Sequence, residues 1–395
     1  MKLIRLGEVV KIARGTTYKS ALKGLPGPIL LGLGSIHRNG GFRKDNLETY
    51  GGDSPEKLLV HPGELYASLK DVTQSADLLG AVARLPKSGT VGRLTQDTVR
   101  LDLVGDQVPT EYLYWVLRTP EYRSYCRSHL TGTTNLGLPR DDFLAFQFPE
   151  PDTSRLSIAQ ALDAIDEKID SLQETLRLSQ ELAQALFNYW FVNGKNWTED
   201  RQITWRSGKL SDVLVLRRDS AKPDDDLELP YVPIDVLKKK SLAIGEARPT
   251  SEAKSSLIQF RENDILIGAM RVYFHRVSIA PFAGVTRTTT FVLRPKSPEL
   301  LAFGLLLCNQ DQTIEFAQRT SKGSTMPYAV WDGGLAEMEL LIPPHEVLSE
   351  FSQNTMPLID LIKQSGSQVK KLEQLRETLL LRLISGSLHG LKVLD

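Results

Sequence analysis

The chain has 395 residues, and 48 Lys+Arg are set against 48 Asp+Glu, so its formal net charge is zero. With 41% hydrophobic and 24% charged residues it is ordinary globular material, long enough for two or three folded units, which excludes a disordered or fibrous chain. Cys126 and Cys308 stand alone, which excludes a disulfide scaffold and a thiolate zinc site; with charge at once in the N-terminus and no apolar run of the roughly 18 residues a membrane helix needs, we expect a cytoplasmic protein without signal peptide or membrane span.

Residues 1–150 read as a mixed α/β globule. It opens on Arg5-Leu6-Gly7-Glu8-Val9-Val10-Lys11-Ile12 and has a turn and apolar strand at Pro62-Gly63-Glu64-Leu65-Tyr66-Ala67-Ser68. An amphipathic helix follows around Tyr112-Leu113-Tyr114-Trp115, then a Gly132-Thr133-Thr134 turn and the proline pair of Phe148-Pro149-Glu150-Pro151. Residues 151–192 predict a first long helix, N-capped by Asp152, Thr153 or Ser154. Residues 193–206, polar with Trp197 and Trp205 embedded, read as a linker.

Residues 207–343 then repeat the first globule in the same order. The matching segments are Lys209-Leu210-Ser211-Asp212-Val213-Leu214, Glu262-Asn263-Asp264-Ile265-Leu266, Leu301-Ala302-Phe303-Gly304-Leu305, Gly323-Ser324-Thr325 and Ile342-Pro343-Pro344. Residues 344–388 predict a second long helix, which Pro357 and Gly366 kink near 357–366 into two pieces, and residues 389–395 form a tail.

Both long helices carry narrow apolar seams at alternating three- and four-residue spacing: Leu162, Ile165, Ile169, Leu172, Leu176, Ala183 and Leu186 on the first, and Leu358, Leu361, Ile362, Val369, Leu372, Leu375, Leu379 and Leu383 on the second. Neither seam is stable in water, so the economical arrangement packs one against the other, the alternative being that each helix packs on its own globule. The fold expected is α+β, with two similar mixed α/β globules separated by two long helices packed as an antiparallel coiled coil.

Catalysis has no visible seat. No phosphate-binding Gly-rich motif occurs, and Gly32-Leu33-Gly34 lacks the third glycine of a dinucleotide site. The histidines His37, His61, His129, His275, His345 and His389 never fall at metal-ligand spacing. Asp152 with Asp166-Glu167-Lys168 superficially matches a nuclease carboxylate set, but these residues sit at the start and on the exposed face of a predicted helix rather than at strand ends.

What remains are polar and basic clusters in predicted loops, with the side chains that hold phosphates and read base edges. In the first globule they are Arg14, Tyr18 and Lys19, then His37, Arg38 and Asn39, then Asn135 and Arg140. In the second they are Arg217 and Arg218, Lys238 and Lys239, Arg271, Tyr273 and His275, then Lys322 and Ser324.

This order of segments resembles the DNA-specificity subunits of type I restriction-modification enzymes. The resemblance rests on residues 158–169 (Ile158-Ala159-Gln160-Ala161-Leu162 onward), on Leu372-Glu373-Gln374-Leu375-Arg376 running into Ile384-Ser385-Gly386-Ser387-Leu388, and on the two Gly-hydroxyl turns before proline pairs. Arg155 stands where the family usually has glutamine. The resemblance implies two target-recognition domains joined by helical spacers, in a non-catalytic subunit that reads a bipartite, asymmetric sequence in double-stranded DNA, one half-site per globule. It also implies two methyltransferase subunits and separate restriction (motor/nuclease) subunits as partners. S-adenosylmethionine, ATP and Mg are then expected on those partners and no cofactor on this chain. The alternative is a coiled-coil scaffold whose two globules bind other proteins.

Overall fold

The structure is a computed structural model that describes residues 2–193, 205–221, 229–254 and 256–386. Most of the expected linker 193–206 and all of the tail 389–395 lie outside the described residues. Two compact units emerge, one of Met1–Glu167 with Gln374–Asp395 and one of Lys168–Glu373.

In the first unit, strand Leu3–Arg5 pairs antiparallel with Gln147–Pro149, and a single helical turn, Leu6–Val9, delivers the chain into strand Val10–Arg14. That strand edges a four-stranded antiparallel sheet, followed in order by Thr98–Leu103, Leu65–Ser68 and Val82–Arg84. A three-stranded sheet places Gly92–Leu94 between Ile29–Leu31 and Leu59–Val60. Helices Thr110–Val116 and Pro120–Ser128 cover the larger sheet; the second begins where proline costs least, with the Thr119 hydroxyl accepting the Tyr122 N–H at 3.4 Å.

The second unit repeats this plan. Arg206–Lys209 pairs with Glu339–Ile342, one turn at Leu210–Val213 follows, and the four-stranded sheet runs Leu214–Arg217, Thr290–Pro295, Ile265–Gly268, Val277–Ile279. Helices Leu300–Cys308 and Asp311–Arg319 take the place of the two in the first unit. The internal repeat read from the sequence is therefore a repeat of strand order.

The first long helix spans Thr153–Phe187 and continues as a π-type turn through Val192. Asp152 caps it, its carboxylate accepting the Arg155 N–H at 2.9 Å. Within the first unit, Ser154 Oγ donates to the Gly386 carbonyl at 2.7 Å, Arg155 to that of Ile384 at 3.0 Å, and Arg376 pairs with Asp166 at 2.5 Å. Within the second, Phe187 and Trp190 pack on Phe351, with ring centroids 6.2 and 5.5 Å away. In the first unit ascending positions on one helix meet descending positions on the other, and in the second a Cβ on Gly366 would stand 3.8 Å from Leu176 while Phe187 meets Phe351, so the pair is antiparallel.

Two expectations about the second helix are corrected. It is one continuous helix, His345–Ser385, running through Pro357 and Gly366. An internal proline costs roughly 3 kcal/mol, but Phe351, Ile359 and Ile362 are fully buried around it and offset that cost. Gly366 is a point of close approach, since a Cβ there would stand 3.0 Å from that of Ala243. Leu361 is 42% exposed and does not belong to the seam, which passes through the expected Ile362 and through Ile359 instead of Leu361. Leu162, Ile169, Leu172, Val369 and Leu379 are buried as expected, and Ile165, Leu176, Leu358, Leu372 and Leu375 are partly buried.

The helices bury more than a coiled-coil seam, and part of the extra burial is charged. Asp163 receives a bidentate contact from Arg84 (2.8 and 2.9 Å) and the Trp115 indole N–H at 2.6 Å. Asp166, expected on a solvated helix face, lies between Arg376 and Arg118, the latter at 3.6 Å. The Arg84 and Arg118 guanidinium groups also stack on Tyr114, 4.6 and 4.9 Å from the ring centroid. Removing the carboxylate would strand a buried guanidinium and a buried indole N–H. Asp163→Ala is therefore expected to lower stability by about 3 kcal/mol in urea unfolding; a loss below about 1 kcal/mol would show that the pair is solvated.

Candidate nucleic-acid interface

In the first unit three loops converge. The loop carrying His37, Arg38 and Asn39 is tied to the loop that follows Lys70: the Asn39 N–H donates to the Asp77 carbonyl at 2.8 Å, and Arg38 approaches the Asp77 carboxylate at 3.9 Å. That second loop pairs in turn with the Gly132 loop, through Leu136 opposite Asp71 and Gly137 opposite Lys70. The third loop is closed by reciprocal backbone bonds between Thr131 and Gly137, both 2.8 Å.

Buried groups hold this frame. The Asp71 carboxylate, fully buried, accepts the N–H groups of Thr73, Leu78 and Leu79 at 2.7, 2.6 and 3.1 Å. From the helix beneath, buried Arg123 donates to the carbonyls of Ala76, Asp77 and Leu79. Partial burial, then the Arg43 charge, lower the His37 pKa, so at neutral pH the imidazole offers one donor and one acceptor.

The second unit builds the same trio from different residues. The Lys240 N–H donates to the His275 carbonyl at 2.8 Å, as Asn39 does to Asp77, and both residues are left-handed (φ 50° and 62°). The Arg271 N–H donates to the Pro327 carbonyl at 2.8 Å, joining the second loop to the third. Lys322 and Tyr328 close that third loop with reciprocal 2.9 Å bonds, and Gly323 (φ 88°) repeats Gly132 (φ 89°). Lys238, Lys239, Arg271, Lys322 and Ser324 are exposed, and Tyr273 is 44% exposed. The Lys239 ammonium sits 4.1 Å from the Phe274 ring centroid.

Not every expected site residue is presented to solvent at the tips of these trios. His275 is buried: one ring nitrogen bonds Asn309 Oδ1 at 3.0 Å, the other lies 3.2 Å from Asp311, and Asn309 passes the chain on to Gln184 at 3.0 Å. It positions its loop and does not face solvent. Arg217 and Arg218 are held by Asp219 (3.0 Å) and Asp332 (2.6 Å) at the end of their strand. Arg140 opens the short helix Arg140–Ala145, exposed at the end where a cation gains nothing from the helix dipole.

Arg14 and Lys19 are exposed, and Tyr18 lines a groove of about 310 Å³ with Asn46, Thr95, Gln96 and Asp97. This groove reaches the trio through Asp97, in the turn between strands Gly92–Leu94 and Thr98–Leu103, which pairs with Lys70 at 3.4 Å. Lys70, Gln74, Met326 and Tyr328 belong to the trios and were not singled out from the sequence. For Met326 and Tyr328 a signal existed, since they follow Gly323 as Asn135 and Gly137 follow Gly132.

The arrangement suits binding better than catalysis. Asp152 and Asp166 are occupied in the helix cap and ion pairs. Burial raises the Cys126 thiol pKa and pushes that of Cys308 up to about 12. Among the described residues no cluster of three or more His, Cys, Asp or Glu could hold a metal ion, and no helix is long and apolar enough to cross a membrane.

A second surface is apolar. Leu178, Leu182, Tyr189 and Val192 are 50 to 54% exposed at four-and-three helical spacing on the first long helix, opposite the buried Ser179, Ala183, Phe187 and Trp190.

Gly132 is required by both conformation and space, because a Cβ would stand 2.5 Å from the Asn135 carbonyl oxygen. Gly132→Ala is expected to cost about 1–3 kcal/mol of local stability and to speed amide hydrogen exchange at Thr131 and Gly137. Unchanged exchange there would mean that the loop is not framed as described.

No protein-family model matches the chain. It is 22% identical over 305 residues to the type I restriction enzyme MjaIX specificity subunit of Methanocaldococcus jannaschii, covering 72% of this chain and 70% of that protein. Its fold matches the crystal structure of a type-I restriction-modification system S subunit from M. genitalium with a TM-score of 0.69 and 14% identity, over 97% of this chain and 96% of that one. An HsdS subunit from Thermoanaerobacter tengcongensis aligns over 98% of this chain and 96% of its own with 16% identity, at a TM-score of only 0.34. The resemblance to type I specificity subunits is thus present in sequence and in fold.

Proposed function

We propose that this chain is the non-catalytic DNA-recognition subunit of a type I restriction-modification complex. Each loop trio reads one half of a bipartite, asymmetric target, and the chain assembles methyltransferase and restriction subunits on that DNA. The observation that carries this is the recurrence of one three-loop frame in two units with different side chains at its tips: His37, Arg38, Asn39, Lys70 and Asn135 in the first, Lys238, Lys239, Arg271, Tyr273 and Met326 in the second. Two equal frames with unequal tips suit two unequal half-sites. S-adenosylmethionine, ATP and magnesium belong to the partner subunits in this reading.

Zero net charge supports the same division. Phosphate neutralisation supplies most non-specific affinity for DNA, so a neutral chain needs cationic partners for backbone contact and contributes base readout itself. The exposed stripe of Leu178, Leu182, Tyr189 and Val192 supports docking of an apolar helix from a methyltransferase partner.

Exchanging residues 207–343 for those of a homologous specificity subunit is expected to change only one half of the methylated sequence in mapped genomic DNA. An unchanged target, or a change in both halves, would refute one half-site per globule. Introducing Leu178→Glu with Leu182→Glu is expected to abolish co-purification of the methyltransferase subunit while leaving the melting temperature within a few degrees, since both side chains are half exposed. Retained co-purification would move the docking surface elsewhere.

A further inference from the structure

The third loops of the two trios share one backbone. Each has a left-handed glycine one residue after the closing position, Gly132 at φ 89° after Thr131 and Gly323 at φ 88° after Lys322. Each is closed by reciprocal N–H to carbonyl bonds between residues six apart, Thr131 with Gly137 and Lys322 with Tyr328. In each, the residue three places beyond the glycine turns its carbonyl back toward that glycine: a Cβ would stand 2.5 Å from the Asn135 oxygen or 3.1 Å from that of Met326. Position for position, Asn135 in one unit is therefore Met326 in the other.

These side chains are chemically opposed and both face solvent. The Asn135 amide is exposed and has no hydrogen-bond partner among the described residues. Met326 is 49% exposed, and its loop also exposes Tyr328 at 48%. The adjoining loop adds Tyr273 at 44%, and exposed Arg271, Lys239 and Lys322 surround these apolar groups. A free amide held on a rigid loop matches the N6 donor and N7 acceptor of adenine, a pairing that needs both ends of one side chain. An apolar tip among exposed cations matches the one apolar feature of the major groove, the thymine 5-methyl group.

We propose that this shared position determines specificity in both halves: Asn135 reads an adenine in the half-site of the first globule, and Met326 contacts a thymine methyl in the half-site of the second. This rests on the reading that the loop trios bind DNA. It adds which residue reads which base, and by which atoms.

The test uses the full chain assembled with its methyltransferase subunits and duplexes carrying the target mapped from genomic methylation. Adenines of the first half-site are replaced one at a time by 7-deazaadenine, and thymines of the second by deoxyuridine, which lacks only the methyl. One replacement in each half is expected to weaken binding at least about fivefold, the effect of one lost base contact. Asn135→Ala and Met326→Ala are expected to abolish sensitivity to the replacement in their own half only.

A first half-site without adenine, a second without thymine, wild-type indifference to the replacements, or variants that keep the sensitivity would each overturn this inference while leaving DNA recognition standing. A wild-type complex with no sequence preference would overturn the underlying reading instead. Both side chains sit at exposed loop tips, and melting curves matching the wild type establish that the variants are folded.

Discussion

The carboxylate of Asp163 is where the first long helix is fixed to its unit. A buried ion earns its place only when each oxygen is engaged, and here two guanidinium hydrogen bonds and an indole N–H do so. The apolar seam alone leaves freedom to slide or roll, because methyl and methylene groups have no fixed partners. A bidentate contact removes that freedom, since Arg84 lies on a strand of the sheet and Trp115 on the helix covering it. The charge network thus contributes orientation, while burial of Ile158, Leu162, Leu379 and Leu383 contributes most of the cohesion.

The same division operates in the loops. Asp71 and Arg123 are buried charges whose hydrogen bonds go to backbone groups of the second loop, and His275, Asn309 and Gln184 form the corresponding support in the other unit. In both cases the supporting groups lie beneath the loop, leaving its tips without structural duties. Binding surfaces need this separation: side chains that meet a ligand must be held accurately by groups that do not.

Much of the architecture was legible because its signals are local. Heptad spacing marked the long helices, and the glycine turns and proline pairs gave the repeat its order, since only glycine suits the backbone at positions 132 and 323. What could not be read depends on distant partners. His275 looks like a surface cation until Asn309 and Asp311 are placed beside it. Pro357 looks like a break until the burial of Ile359 and Ile362 is known, and Leu361 keeps the spacing of the seam yet faces solvent. The meeting of the Asn39, Asp77 and Leu136 loops follows from sheet pairing across the chain, which local propensity does not encode.

The left-handed glycines have a consequence for how such a protein can change. Their loops are closed by main-chain bonds, which every residue type except proline can make, and the backbone reversal is assigned to a residue without a side chain. The tip positions therefore contribute little to folding and can vary widely at small cost in stability. A lineage carrying this frame could acquire a new vocabulary one word at a time, without first relearning how to fold.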